Sequence, residues 1–518
     1  MWCETSSAAK TGSGSSMGRF SDFLGKELGP RQVWLFFLLA TLLYVVPLIL
    51  ADYPYIDDNW RSLSAGMAWA EQGRLFTQLF YNLLTFGNAA PNIFPLPLLI
   101  ATLGMATALT RLTFHYFPQP TIACCLVPLP LWYNPFFLQN LSYQYDGPAM
   151  ALSLVAMIYA ITFRHPSRSW QWLVPALLIA LALGLYQISL NVFLGLCCLE
   201  LLRGANDRLA WPQLCELVGW KVAQVTMGWL MYCGSAVAFM SQDRALLLNW
   251  AAAPLLQLHV NIGRVLEKVV LLFHGGFAWV FAALLLCAIA GAVQVGLKVR
   301  ARQDSGVKKS LIGLLCLLTL PVVTLLVSGV ALFFRDFNEG ARTLMGFAVL
   351  LVLLFYLSHL ALAQIHERLP LLLMVPLLAM LSLSFAYGRV LTVQKAFTTS
   401  ALFSLERDIA THRQLREAKR IYMSVTYSDH WLRGAAGSFK QMPVLRYLLN
   451  IDFFMLAENL PKVGITNVVA EKERRNATRV GYQGYPPLLE RQYYRIYLIG
   501  DYGFIVMKEP APIKTLRW

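Results

Sequence analysis

Residues 33–51 read VWLFFLLATLLYVVPLILA, and residues 53–61, one position further on, read YPYIDDNWR. The first run carries no charge and is long enough to cross the hydrocarbon core of a membrane, which is about 30 Å thick. The second run places two carboxylates, an amide and an arginine where that helix should emerge into water. A charge at this depth is costly unless it has a function or a partner. We therefore expect the acidic pair, Asp57 and Asp58, to act in catalysis on a substrate carried by a lipid.

The composition extends the membrane assignment to most of the chain. Of the 518 residues, 57% are hydrophobic and 14% are charged, whereas soluble domains carry about 25% charged residues. Apolar runs of spanning length recur along the chain, which predicts an all-α polytopic membrane protein. The net charge of +15 is explained by loop topology and by anionic lipid head groups, so nucleic acid is not an expected partner.

About eleven transmembrane helices are expected from runs of this length. Their approximate ranges are 33–51, 93–110, 120–137, 147–163, 171–186, 188–202, 220–240, 269–297, 310–334, 341–363 and 370–387. Three prolines, at positions 128, 130 and 135, predict a kink in the third helix. With the N-terminus inside, the inside segments carry sixteen Lys and Arg and the outside loops seven, in agreement with the positive-inside rule. The other twenty lie in residues 388–518, and long domains are translocated largely regardless of charge.

This topology predicts three domains in a protein of the bacterial inner (cytoplasmic) membrane. They are a cytoplasmic tail (1–32), a transmembrane domain (33–387) whose first periplasmic loop is 52–92, and a periplasmic domain (388–518). Within the tail, the Ser- and Gly-rich residues 1–16 are expected to be a disordered leader, with Met17 as an alternative start.

The C-terminal domain is predicted to be small and of the α+β class. A polar helical stretch over 399–420 precedes strand-like runs at 421–426, 463–470 and 494–507. Signals from Gly, Pro and Asn separate these runs.

The first outside loop holds the candidate catalytic residues. Asp57 and Asp58 open it, and Asn59, Arg61 and Arg74 follow as candidate substrate-binding residues. Apolar residues then recur every three to four positions, with Trp, Tyr and Phe between them, which predicts helices lying in the membrane interface. Such helices would form either a packed amphipathic cap or a platform that holds a lipid substrate beside the acidic pair.

The second outside loop, 134–148, combines amides, tyrosines and one carboxylate, as the linings of sugar sites do. Gln144, Tyr145 and Asp146 are its candidate substrate-binding residues. The alternative is that Asp146 caps the following helix, with Pro148 in its first turn.

The third outside loop, 334–343, is short and rich in charge. Arg335 and Arg342 are candidates for holding a lipid phosphate, because guanidinium groups suit phosphate oxygens. Asp336 and Glu339 complete the candidate set. The alternative is a loop whose arginines and carboxylates pair with one another.

The motifs that the chain lacks narrow the chemistry. The sequence has no P-loop, no GxSxG elbow, no HExxH and no Gly-rich dinucleotide motif, and its nine cysteines and eight histidines lack metal-ligand spacing. Glycosyl transfer needs a base that deprotonates the acceptor hydroxyl, for which one carboxylate is enough. It also needs a cation that stabilises the departing phosphate. An acidic residue just past the first helix and arginines on other loops would supply both.

This arrangement resembles the GT-C superfamily of integral-membrane glycosyltransferases, whose hallmark is an acidic motif in the first outer loop. It is more similar still to the bacterial and phage glucosyltransferase family that modifies O-antigen during serotype conversion. The resemblance is carried by residues 55–61, YIDDNWR, and 139–150, QNLSYQYDGPAM, and extends over roughly Val33 to Tyr387. The C-terminal domain contributes little to it.

The resemblance implies a donor, an acceptor and partner proteins. The donor would be undecaprenyl-phosphate glucose, made by a separate enzyme at the inner face and flipped to the periplasmic face by a small partner protein. The acceptor would be a sugar of the O-antigen repeat of lipopolysaccharide. One of Asp57 and Asp58 would be the base, with Asp57 slightly favoured, and the other would position the acceptor or a divalent metal. Donors of this lipid type often need no metal cofactor.

Two other classes of function are compatible with a polytopic protein. A transporter or flippase of a lipid-linked saccharide would place its charges in the middle of helices, whereas the predicted helices are nearly free of charge. A structural membrane component would not explain why acidic, amide and arginine groups collect on one face. Within the enzyme class, another polyprenyl-linked sugar or a protein acceptor is an alternative.

Overall fold

The structure is a computed structural model that describes residues 26–236, 239–240, 254–334, 337–424, 432–450, 457–468 and 482–508. The predicted leader, 1–16, lies outside these residues. So do two candidate site residues of the third loop, Arg335 and Asp336.

Helices dominate the described chain up to residue 416. The helices are α1 (Pro30–Ala51), α2 (Asp58–Ser64), α3 (Leu75–Thr85), α4 (Leu96–Tyr116), α5 (Ile122–Leu126), α6 (Pro130–Tyr133), α7 (Phe137–Ser142), α8 (Asp146–Thr162), α9 (Arg168–Leu185), α10 (Ser189–Asn206), α11 (Trp211–Ser235), α12 (Pro254–Val270), α13 (Gly276–Arg300), α14 (Gly306–Leu325), α15 (Phe347–Ile365), α16 (Met374–Thr411) and α17 (Arg413–Arg416). Two short helices follow in the C-terminal region, α18 (Ala436–Gln441) and α19 (Val444–Leu449).

The protein is a polytopic helical membrane protein, as its composition predicts. Seven segments of the described chain are helical, long and apolar enough to cross a membrane: Pro30–Ala51, Leu96–Tyr116, Arg168–Leu185, Gly276–Arg300, Gly306–Leu325, Phe347–Ile365 and Leu369–Thr411. Ile122–Tyr133 and Asp146–Thr162 are shorter apolar helical segments. Since α1 begins on one side and ends at the acidic pair, we call the side that carries residues 52–92 the loop face and the other side the opposite face.

Prolines break the predicted third helix. The segment 120–137 forms α5, α6 and the start of α7, with Pro130 in the first turn of α6. A proline lacks the N–H group that a helix interior needs, but it fits the first turn, where no partner is required. The kink expected from the sequence is therefore a full interruption.

The helix that ends the transmembrane domain is longer than predicted. The predicted end at Tyr387 is wrong, because α16 continues to Thr411 and includes much of the polar stretch predicted as a separate helix. Polar side chains end a membrane span without breaking the backbone, and neither they nor Gly388 carries the steric conflict of a proline. The prediction also missed α12, an amphipathic helix before the span that begins at Gly276.

The core around α1 uses close helix contacts and buried hydrogen bonds. Ser384 Oγ of α16 donates to the carbonyl of Tyr44 at 2.7 Å. The rings of Tyr44 and Tyr133 stack at 4.5 Å, and Trp132 Nε1 donates to the carbonyl of Thr41 at 3.1 Å. These bonds fix α1 between α16 and the interrupted segment, so the end of α1 that carries the acidic pair is held on two sides.

The C-terminal region contains the predicted small sheet. Its strands are β1 (Arg420–Ser424), β2 (Leu489–Glu490), β3 (Tyr494–Ile499) and β4 (Tyr502–Met507), in the order β1-β4-β3-β2. β1 is parallel to β4, and the other pairs are antiparallel. The run predicted as one strand over 494–507 is a hairpin that turns at Gly500, whose φ is +57°.

The run predicted as a strand over 463–470 begins differently. Its first residue ends a 3₁₀ helix, Ala457–Val463, and Val468 makes an isolated bridge to Ile421. Residues 469 and 470 lie outside the described residues.

The end of α16 is bonded to the sheet. Asp408, which is buried, accepts two hydrogen bonds from Arg491 at 2.8 Å each and one from Tyr494 Oη at 2.9 Å. One long helix thus links the membrane body to the C-terminal region, whose residues 432–450 and 457–468 return to the loop face.

Candidate active site

The acidic pair is held by a turn of its own sequence. The backbone N–H of Tyr55 donates to Asp58 Oδ2 at 2.8 Å, just where α2 begins. Ile56 between them has a φ of +42°. This tight turn lets the chain leave α1 and start α2 within a few residues, and it directs the Asp57 and Asp58 side chains differently.

Asp58 connects the first loop to the second. Besides Tyr55, its carboxylate accepts the backbone N–H groups of Gln144 at 2.8 Å and Tyr145 at 3.2 Å. The side chain is completely buried. Burial raises the pKa of Asp58 to about 8, while the three N–H groups act in the opposite direction because they stabilise the charged form.

Asp146 brings two arginines and a tryptophan of the first loop together around one carboxylate. It forms ion pairs with Arg61 Nε at 3.2 Å and Arg74 Nη1 at 3.0 Å. Trp69 Nε1 donates to it at 2.8 Å. The Arg61 guanidinium also lies over the ring of Trp69, at 4.2 Å from its centre. The sequence raised a capping role for Asp146, but the N-cap of α8 is Tyr145, and Asp146 is the first residue of the helix.

Asp57 differs from both of these carboxylates. Its side chain is half-buried, and within the described residues it has no hydrogen-bond or ion-pair partner. Burial raises the pKa of Asp57, and the charge of Asp146 raises it further. The charges of Arg342, Arg61 and Arg74 lower it. Asp57 is therefore a carboxylate within electrostatic reach of three guanidinium groups, and its oxygens remain available.

Arg342 supplies a guanidinium that the described chain does not neutralise. Its Nη1 donates to Tyr143 Oη at 3.0 Å, and no carboxylate of the described residues forms an ion pair with it. Its backbone is fixed on both sides. The N–H donates to Gln139 Oε1 at 2.8 Å, and the carbonyl accepts from Asn140 Nδ2 at 3.2 Å. Because both partners lie on α7, the second and third loops hold one another.

Glu339 does not join this cluster. Its carboxylate pairs with Arg264 at 3.0 Å and Lys268 at 3.6 Å, both on α12. Arg342 and Glu339 therefore do not pair with one another, and the other two charged residues of a self-paired third loop, Arg335 and Asp336, lie outside the described residues. Tyr447 Oη also donates a hydrogen bond to the backbone carbonyl of Glu339 at 2.5 Å.

The remaining predicted residues form the frame of the site. Gln144 donates to Asp52 Oδ1 at 3.1 Å and accepts from Asn92 Nδ2 at 3.0 Å. The carbonyl of Tyr145 accepts from Tyr81 Oη at 2.7 Å. These bonds tie the second loop to both ends of the first loop and to α3, one of its short helices.

Asn59 leads to a part of the site that the sequence did not reveal. Its Oδ1 accepts from Lys462 Nζ at 2.6 Å. Burial lowers the pKa of Lys462, and nearby Asp58 acts in the opposite direction. Tyr55 Oη and Gln139 Nε2 both donate to the carbonyl of Leu448, at 2.8 and 3.2 Å. No sequence signal marks these contacts, because Lys462 and Leu448 lie hundreds of positions from the first two loops and belong to no motif.

The described residues contain no group of three or more His, Cys, Asp or Glu side chains that could hold a metal ion. The described side chains offer a carboxylate for proton transfer beside cationic and aromatic groups.

Comparison with known proteins identifies one family model and one phage relative. The family model described as "Glucosyl transferase GtrII" matches residues 46–353, a range that includes the acidic pair, Asp146 and Arg342. A protein of Salmonella phage P22, described as an uncharacterized 55.3 kDa protein in the gtrB 5′ region, is 29% identical over 157 residues. That match covers 30% of this chain and 32% of the phage protein, or about a third of the relative's length. No solved structure matches the chain significantly.

Proposed function

Because this chain belongs to the GtrII glucosyl transferase family, we propose that it transfers a glucosyl residue from a polyprenyl-phosphate donor to a sugar of the O-antigen of lipopolysaccharide. Undecaprenyl phosphate is the carrier that the family resemblance implies. The proposal depends on one observation, that an available carboxylate and an available guanidinium lie near one another on the loop face. Asp57 is a half-buried carboxylate without a partner in the described chain, and it lies in the field of Arg342, a guanidinium without a carboxylate partner there.

In the proposed reaction Asp57 is the general base. It accepts the proton of the acceptor hydroxyl as that oxygen forms a bond to C1 of glucose. The bond between C1 and the phosphate oxygen breaks in the same step, and the polyprenyl phosphate leaves as an anion. The raised pKa of Asp57 suits this role, because a base whose pKa lies closer to the working pH accepts a proton more readily.

Arg342 is the proposed ligand of the departing phosphate. A planar guanidinium can donate two hydrogen bonds to phosphate oxygens, and these strengthen as negative charge develops. The bond from Arg342 to Tyr143 Oη and the anchoring of its backbone by Gln139 hold it in place before the donor arrives. Arg61 and Arg74 share the single carboxylate of Asp146, so they are assigned to the frame and to the field at Asp57.

The loop face is proposed to be periplasmic, in the inner membrane of a bacterium. The support is the excess of Lys and Arg in the segments of the opposite face over the loops that join helices on the loop face. A donor used on that side must be made inside and moved across, so a donor-synthesising enzyme and a flippase are the proposed partners.

The test is Asp57→Asn, with Glu71→Gln as the matched control. Glu71 is an exposed carboxylate of the same loop. We expect Asp57→Asn to lower the transfer rate by roughly 10²-fold or more, the usual contribution of a general base, at unchanged abundance in the membrane. The measurement is the hexose count per O-antigen repeat by mass spectrometry, together with the transfer rate in isolated membranes.

The control should transfer glucose at the rate of the unmodified protein. Full activity of Asp57→Asn would remove Asp57 as the base. An unchanged hexose count with and without the unmodified protein would remove the proposed reaction itself.

A further inference from the structure

A groove lies on the opposite face, far from the acidic pair, between the beginnings of α9 and α11. Two adjoining cavities of about 670 and 550 Å³ form it, and both are lined by Arg168, Glu216 and Trp220. The chain reaches this face at the end of α8 and α10 and leaves it at the start of α9 and α11. None of the residues assigned to glucosyl transfer lines either cavity.

The mouth of the groove carries charges of both signs that the described chain does not pair. Arg168 lies over the ring of Trp220 at 5.3 Å, and Glu216 accepts from Trp220 Nε1 at 3.2 Å. Neither forms an ion pair with another described residue, and neither does Arg164, which also lines the mouth. These side chains are exposed, so a ligand can reach two guanidinium groups and one carboxylate together.

The charges deeper in the groove are already neutralised. Glu200 is bonded to His115 at 2.9 Å and to Arg203 at 3.0 Å, and all three side chains are mostly buried. Asp207, an exposed carboxylate of the same cavity, pairs with Arg203 at 3.9 Å. The unpaired charges are therefore confined to the mouth, next to Trp220.

The other end of the groove is apolar and follows the helices towards the membrane interior. Trp172, Ala223 and Met227 line it, and a Cβ added at Gly219 would meet no atom within 4 Å. α9 is one of the segments able to span the membrane. Tryptophans are enriched where a membrane meets water, and Trp170, Trp172 and Trp220 mark that depth here. The groove therefore runs from the level of lipid head groups to that of acyl chains.

We propose that this groove binds a phospholipid whose head group joins a phosphate to a primary ammonium, that is, phosphatidylethanolamine. The phosphate would accept hydrogen bonds from Arg164 and Arg168, and the ammonium would donate to Glu216 beside the Trp220 ring, where a cation is also favoured. One acyl chain would lie against Trp172, Ala223 and Met227. A purely anionic head group would leave Glu216 unpaired, and the quaternary ammonium of phosphatidylcholine has no N–H to donate.

The experiment titrates the purified full-length protein in detergent with three lipids that share the same acyl chains. Phosphatidylethanolamine, phosphatidylcholine and phosphatidylglycerol are compared by native mass spectrometry. We expect one saturable site at which phosphatidylethanolamine binds about tenfold more tightly than either of the others, since a hydrogen bond between charged groups is worth roughly that much. Equal binding of the three lipids would overturn the proposal without the use of any variant.

Two exposed substitutions assign the head-group contacts. Arg168→Gln should weaken phosphatidylethanolamine and phosphatidylglycerol alike, because both contain the phosphate. Glu216→Gln should weaken phosphatidylethanolamine alone and remove its advantage over phosphatidylglycerol. The controls are Lys308→Gln and Glu367→Gln, exposed charges elsewhere on the opposite face. If Arg168→Gln and Glu216→Gln bind the lipids as the controls do, the groove is not the site.

Discussion

The carboxylate of Asp58 accepts three backbone N–H groups and is completely buried, whereas the carboxylate of the neighbouring Asp57 accepts none from the described chain and is half-buried. A carboxylate with three fixed donors is held rigidly, and its oxygens are not available to a substrate. A carboxylate without such partners can turn towards a substrate hydroxyl and take its proton. We therefore propose Asp57 as the base, the residue slightly favoured from the sequence, and Asp58 as the residue that positions it.

We expect Asp58→Asn to destabilise the protein. Asp58 Oδ2 accepts from both Tyr55 and Gln144. An asparagine amide has only one acceptor oxygen, so in either orientation at least one buried N–H loses its partner. Such a loss costs about 1–3 kcal/mol. The measurement is the thermal unfolding temperature in detergent, compared with that of Asp57→Asn, which should unfold at the temperature of the unmodified protein.

This comparison separates the two carboxylates even if both variants lose glucosyl transfer. A stable Asp58→Asn protein with no activity would contradict the positioning role and would make Asp58 a candidate for direct chemistry. An Asp57→Asn protein that unfolds early would weaken the assignment of Asp57 as the base.

The positive charge of Arg342 near Asp57 predicts how the transfer rate should depend on pH. Arg342 lowers the pKa of Asp57, so removing this charge in Arg342→Gln should raise the pKa. A base is active when it is deprotonated, and the acid limb of the pH–rate profile should therefore move to higher pH. The rate at the optimum should also fall roughly ten- to hundredfold, the worth of one charge-assisted hydrogen bond to the departing phosphate.

The control for this profile is Arg264→Gln, which removes a guanidinium of the same face that pairs with Glu339. Its acid limb should coincide with that of the unmodified protein. A shift of the Arg342→Gln profile to lower pH would contradict the assignment of the limb to Asp57.

Sequence analysis selected candidate residues that lie near its motifs, and it missed the residues that folding brings beside them. The predicted cluster around Asp57, Asp58, Asp146 and Arg342 does assemble, because each residue follows an apolar segment on the same face. Lys462 could not be predicted, since its bond to Asn59 depends on how the C-terminal region packs. Glu339 was predicted with its loop, and only the structure could reveal its pairing with α12.

At the level of elements, the end of α1 is positioned by its contact with α16. Gly388 of α16 faces α1 so closely that an added Cβ would lie 2.5 Å from Pro47 Cβ and 2.8 Å from its carbonyl oxygen. Neither atom can move aside, because one belongs to the helix backbone and the other to a proline ring. The close approach also places the next turns of α16 beside the turn that carries Asp57.

We expect Gly388→Ala to lower the free energy of unfolding by about 1–3 kcal/mol, the usual cost of inserting a methyl group into a packed core. The control is Gly296→Ala in α13, where an added Cβ meets nothing within 4 Å. There the substitution should be neutral or stabilising by up to about 1 kcal/mol, because glycine disfavours a helix interior. Equal thermal unfolding temperatures in detergent for both variants would show that the two helices can separate without cost.

The elements also show which boundaries a sequence can reveal. Hydropathy marks where a chain leaves the membrane, but it does not mark where a helix ends, and α16 crosses the predicted boundary at Tyr387 for that reason. The hairpin of β3 and β4 was predicted as one strand, because β-forming residues continue on both sides of Gly500 and hide the turn there. In both cases the class of structure was correct and the boundary was set by backbone geometry.

For the molecule as a whole, the C-terminal region closes back on the first loop. The carbonyl of Leu448 accepts from Tyr55 and Gln139, Lys462 reaches Asn59, and Lys395 of α16 pairs with Asp52 at 2.9 Å. The acidic turn is therefore held from the first loop, the second loop and the C-terminal region together. A substrate that enters this site must meet all three, which makes the C-terminal region a candidate for reading the acceptor.

The orientation of the whole molecule yields the last prediction. If the loop face is periplasmic, the described cysteines offer one exposed thiol on the inside, that of Cys215 at the start of α11. A thiol reagent that cannot cross membranes should leave Cys215 unlabelled in intact spheroplasts of a Cys3→Ser background and label it after permeabilisation. In a background that also carries Cys215→Ser, Asn88→Cys in the first loop and Lys440→Cys in α18, both exposed positions, should be labelled without permeabilisation. The reverse pattern would place the acidic pair on the cytoplasmic side, where a flipped donor could not reach it.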